Sequence, residues 1–149
     1  SMHRPLLLGA SLVALAIAPR AHAQAAPPLP ADSLEFGRAA TRWLVNGAVD
    51  SLWARVTPAD RGIFASRDSL AQAVLGFAAR AGSIQGKVEE RFVWRGGQRQ
   101  YWQTVNASNV PEPIVVRWVM RPDGRMSGLG INPVSNTPPV DSGGPVIKP

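Results

Sequence analysis

The chain has 149 residues, a 45% hydrophobic composition and a net charge of +6, enough for one domain with a real core and too little for two. Its basic groups are scattered, with 14 arginines against 2 lysines, and no basic stripe with interleaved aromatics of the kind that binds nucleic acid is present. Cysteine is absent, so neither a disulfide nor a thiol-borne lipid can act.

His3 and Arg4 precede an apolar run from Leu6 to Ile17, followed by Ala21-His22-Ala23 and Gln24. A positive start, a short apolar core and small residues at a cleavage point form the pattern of a secretory signal peptide. The expectation is cleavage after Ala23; the alternative is an uncleaved membrane anchor through residues 5–18, although a spanning helix needs roughly 20 apolar residues. Losing residues 1–23 would remove Arg4 and Arg20 from 16 basic groups and none of the 10 acids, leaving a net charge of +4. Both readings place the protein in the periplasm or outside the cell.

Residues 24–31 form a Pro/Ala-rich linker in which the prolines prevent helix or sheet pairing. Asp32 with Glu35 resembles a capping box, and Phe36, Ala40, Trp43 and Leu44 recur at helical spacing up to Asn46-Gly47. Val49, Leu52, Trp53 and Val56 continue in helical register until Thr57-Pro58. Ser66 and Asp68 open a third helix, with Leu70, Val74, Phe77 and Ala81 along one side and Gly82 at its end.

Beyond Gly82 the period changes to two. Ile84, Val88, Phe92 and Trp94 are expected on one face, with Gln85, Lys87, Glu89, Arg91 and Arg95 on the other. Gly96-Gly97 marks a hairpin turn; on the return strand Tyr101, Gln103 and Val105 oppose Trp102 and Thr104. Asn109–Pro113 breaks the run. A second hairpin follows, from Ile114 to Pro133, in which Ile114, Val116, Trp118 and Met120 share an apolar face and Pro122-Asp123-Gly124 turns the chain. Residues 134–149 form a Pro/Gly-rich tail that is too poor in apolar residues to fold alone. Helices followed by hairpins predict an α+β domain over residues 32–133, with N-terminal helices packed on a curved four-stranded antiparallel sheet.

The helix ending at Asn46-Gly47, the next carrying Asp50, Leu52 and Trp53, the Leu70–Phe77 helix, and the closing Asp123-Gly124-Arg125-Met126-Ser127-Gly128-Leu129 before Pro133 resemble the DUF3887 type of NTF2-like domain. The resemblance spans about Leu34 to Pro133. It implies a small α+β cone, helices in the concavity of a curved sheet, of a kind found in bacterial exported proteins. Glycine and apolar positions carry it, not a catalytic signature.

Both histidines, His3 and His22, lie in the leader, so the exported chain has neither imidazole nor thiol for proton transfer, nucleophilic attack or zinc binding. The acids are dispersed, and neither a metal site nor a cofactor is expected. Cones of this class include isomerases and dehydratases, which implies one enzymatic candidate: Glu90, in register with Phe92 and Trp94, beside Tyr101 across the turn. The alternative is that Glu90 pairs with an arginine such as Arg99 or Arg117, or that a bulge turns it outward. Trp94 and Trp102 flank the first turn; exposed, they would form a docking surface with Arg91, Arg95 and Arg99, and otherwise they belong to the core. The expectation is a non-catalytic accessory module docked on a membrane-associated protein complex, such as a respiratory or photosynthetic one, with lipid contact through the leader. A small-ligand binder or a cavity enzyme is the alternative.

Overall fold

A computed structural model describes residues 33–149. The expected leader with His3 and His22, the expected linker and Asp32 lie outside the described residues.

The order is α1 (Ser33–Val45), α2 (Val49–Trp53), α3 (Arg67–Ala81), β1 (Ile84–Arg95), β2 (Gln98–Ala107), β3 (Ile114–Met120), β4 (Met126–Pro133), a 3-10 turn at Val134–Asn136, and β5 (Ser142–Gly143). The class is α+β, built on one antiparallel sheet in the order β4-β3-β2-β1-β5. The sheet therefore has five strands and not the four expected. None of the described helices is long and apolar enough to cross a membrane.

The helices start and stop where local chemistry dictates. Phe36, Ala40 and Leu44 form the buried stripe of α1, and Gly47 (φ 69°) follows its end in the left-handed region. Ser66 caps α3 by accepting from the Ser69 amide at 3.0 Å, and Gly82 (φ 74°) terminates it. Leu44, Leu52 and Leu70 are fully buried beneath the sheet, each contributing about 1.5–3 kcal/mol. Trp118, at the centre of β3, is sealed from solvent and donates through its indole to Thr41 Oγ1 at 3.0 Å, fixing α1 against the sheet.

Strand alternation puts Phe92, Tyr101, Val105, Val116 and Trp118 on the helix-facing side and Val93, Trp102 and Val115 on the outer side. The tail covers that outer side. After β4 it crosses the sheet, packing Val140 against Val93, Trp102 and Val115, and then runs along the free edge of β1. The Asp141 amide donates to Trp94 O, the Gly144 amide to Phe92 O, and Glu90 and Ile147 exchange two backbone bonds at 2.8–2.9 Å. A segment unable to fold alone folds here because β1 supplies its hydrogen-bonding partner.

Register shifts at Ile84/Gly86 and Lys87/Glu89 interrupt the alternation of β1. Lys87, expected on the face opposite Glu90, therefore shares its side, while Val88 lines a hollow of about 270 Å³ on the outer face with Trp102 and Thr104.

Candidate functional site

Glu90 and Tyr101, diagonal neighbours on β1 and β2, do meet. Both are fully buried, and the Tyr101 hydroxyl donates to Glu90 Oε2. The geometry around them argues against catalysis. Arg38, from α1, donates through Nε to both carboxylate oxygens at 3.0 and 3.1 Å and through Nη2 to Oε1 at 2.5 Å, and Lys87 Nζ adds a bond of 2.8 Å. Gln103 Nε2 donates to the Tyr101 oxygen at 2.9 Å. The carboxylate is thus matched by two cations and a phenol, and neither expected partner, Arg99 or Arg117, is among them.

The electrostatics follow. Burial alone would push the Glu90 carboxyl up, but the bonds from Arg38, Lys87 and Tyr101 outweigh it and hold the group at about 2. Tyr101 moves the other way, well above the usual phenol range, because it is buried and donates to an anion. An acid locked in its ionised form and a phenol locked in its neutral form have no proton to exchange near neutrality. Catalytic proton transfer would need the reverse shift in Glu90. The arrangement is a clamp between α1 and the sheet.

The five residues expected at a docking surface divide between the two faces. Trp102 is only 3% exposed, which corrects the expectation that it could be a surface anchor. It lies beneath the tail, its ring flanked by the Arg91 and Arg117 guanidinium groups at 5.4 and 5.7 Å, with its indole donating to Gln100 Oε1. Arg95, also on the outer side, donates to Pro139 O at 3.1 Å. These three residues hold the crossing segment in place. Trp94 and Arg99, adjacent in the β1–β2 register, lie on the opposite face.

There Trp94 is 50% exposed. It borders a groove of about 480 Å³ bounded by Ser33 and Phe36 of α1, by Gly97–Arg99 at the first turn and by Met120–Pro122 with Gly124 at the second. Both hairpin turns lie at the same end of a meander, so they form one rim. Arg99 stacks on Phe92 at 4.1 Å and reaches toward Ser33, while Arg121, half-exposed and 3.8 Å from the Asp123 carboxylate, gives the rim a second guanidinium. The groove combines an apolar floor, one accessible indole and two guanidinium groups. Arg38 and Arg121 were not singled out from sequence, and Phe36 and Lys87 only as helix and strand positions, not as site residues; Gly86, a glycine within a strand, is a local sign of irregularity in β1.

Among the described residues no group of three or more histidines, cysteines or carboxylates stands close enough to hold a metal ion. Comparison with protein-family models, curated proteins and solved structures returned no match.

Proposed function

We propose that this chain is a non-catalytic exported module of NTF2-like build, its helices seated in a curved sheet, which docks on a larger protein assembly at the periplasmic side of the membrane. One observation carries the reading: the pair best suited to cavity chemistry, Glu90 and Tyr101, is sealed and charge-locked, whereas the half-exposed Trp94 stands at the rim of an accessible groove. Exposed tryptophan beside arginine is the composition of an interface anchor.

The test is affinity purification from native membranes through a tag placed beyond Pro149, comparing the unaltered chain with Trp94→Ala and Arg99→Glu. A partner held in fixed stoichiometry and lost from both variants is expected. Trp94→Ala should leave folding stability within about 0.5 kcal/mol, because an exposed side chain contributes little to the fold. Recovery of the protein alone would overturn the proposal. So would multiple turnover of a metabolite that Glu90→Gln abolishes.

A second reading rests on the groove's size, which falls within the ~300–1,000 Å³ of small-molecule sites. In that case a small anionic ligand would sit against Trp94 and saturate purified protein with a change in indole fluorescence.

A further inference from the structure

The groove beside Trp94 opens where the described residues begin. Ser33, the first residue of α1, borders it together with Phe36, and the Arg99 guanidinium reaches the Ser33 hydroxyl at 3.5 Å. Whatever precedes Ser33 therefore leaves from the groove's own margin. The other end of the chain is committed elsewhere: the tail lies on the outer side of the sheet, with its Asp141 amide on Trp94 O and Ile147 bonded to Glu90.

Residues 24–32 read Gln-Ala-Ala-Pro-Pro-Leu-Pro-Ala-Asp. The fixed φ and missing amides of the prolines favour the polyproline II helix, which turns once every three residues and rises about 3.1 Å for each. Pro27 and Pro30 would then share one ridge, and the whole stretch would reach about 28 Å. Grooves walled by aromatic rings accept such a ridge because an already extended backbone loses little entropy on binding. Here Trp94 offers the half-exposed indole, and Phe36 and Met120 the apolar floor. Charge agrees with this occupant. Asp32 is the one charged residue of the stretch, and it adjoins the Ser33 that Arg99 reaches. Among the described residues no carboxylate borders the groove; Arg121 has Asp123 at 3.8 Å, whereas Arg99 meets no acid. A second copy, by contrast, would bring its own arginines toward an arginine rim. Tethering favours the neighbour further: a segment joined at the margin has an effective concentration on the order of 1 mM, so contacts too weak to hold a free peptide still fill the site.

We propose that residues 27–32 lie in this groove as a polyproline II strap, with Pro27 and Pro30 against the Trp94 indole and Asp32 toward Arg99, so that a docking partner gains the indole only by displacing the chain's own segment. The displacement rests on the docking reading above; the occupancy does not.

The test is nuclear magnetic resonance on the isotopically labelled full chain, expressed with its leader and recovered as the cell processes it. Nuclear Overhauser cross-peaks from the Pro27 and Pro30 rings to the Trp94 indole are expected. Replacing both prolines together, Pro27→Ala with Pro30→Ala, should abolish them and move the Trp94 indole resonance toward that of a solvated tryptophan. The resonance of Trp118, sealed in the core, should stay where it is, which shows that the fold is intact. A Trp94 indole with no contact to residues 24–32 overturns the proposal. So do contacts to it from the tail or, in a mixture of labelled and unlabelled chains, from a second copy. The two readings fail separately. If purification from membranes returns the protein alone while the cross-peaks stand, docking fails and the strap remains; if a partner is recovered equally by the unaltered chain and the proline variant and the cross-peaks are absent, the strap fails and docking remains. With both correct, the proline variant should recover several-fold more partner than the unaltered chain.

Discussion

Glu90 shows how one residue type serves opposite ends according to its donors. In an apolar pocket with few donors it would hold its proton and work as an acid; here α1 and the irregular start of β1 supply two cations, and the same carboxyl becomes a fixed anion. Its folded-state value, about 2, lies below the 4.5 of an unperturbed glutamate, a difference equivalent to roughly 3 kcal/mol. Because the folded value is the lower one, this stabilisation is fully present above about pH 5 and drains away as the pH falls toward 2. Glu90→Gln is expected to destabilise the protein by roughly 2–4 kcal/mol at neutral pH, since Arg38 and Lys87 lose their counter-charge. Urea unfolding of both proteins at about pH 7 and again at about pH 3 checks this; the gap between them should shrink with acid, and a constant gap would mean that the charge is not the source.

Between elements, α1 lies close against β2. A Cβ on Gly37 would stand 2.4–2.7 Å from three ring carbons of Tyr101, so the absence of a side chain is what lets the helix lie on the phenol. Gly37→Ala should cost roughly 1–3 kcal/mol despite the better helix propensity of alanine, with a lower melting temperature in thermal denaturation as the readout. The elements themselves were legible because each carries its own signal. Ser66 and Gly82 bound α3, Gly96-Gly97 turns the first hairpin, and Ile114, Val116, Trp118 and Met120 alternate without interruption. The candidate site was only half legible. Alternation brought Glu90 to Tyr101, but Arg38 lies 52 residues from Glu90, and no periodicity carries that distance. Lys87 was misplaced for a sharper reason: alternation holds only while the ladder is regular, and the register shift between Lys87 and Glu89 reverses it. The division of Trp94 from Trp102 needed no tertiary information, since residues paired across a ladder share a face; what lay beyond the sequence pattern was the tail covering one face and leaving the other open.

Across the whole molecule, the tail unites the two sides of the sheet. It leaves β4 at one margin, crosses the outer face and joins β1 at the other, with Lys148 reaching Glu89 at 2.7 Å and Asp141 accepting from the Gly96 amide at 2.8 Å. Deleting residues 138–149 should uncover Val93, Trp102 and Val115, lower stability by roughly 1–3 kcal/mol and shift Trp102 fluorescence to the red. Amide exchange at Glu90, whose N–H donates to Ile147, should accelerate most; unchanged protection there would show that the strand is dispensable.

The residues that finish the sheet come later in the chain than every strand they join. Until Ile147 has emerged from the exit tunnel, β1 waits with half its backbone unanswered and Trp102 with no lid. A chain broken off before Val140 would thus carry the other four strands with an adhesive margin, the sort of product that quality-control proteases meet first.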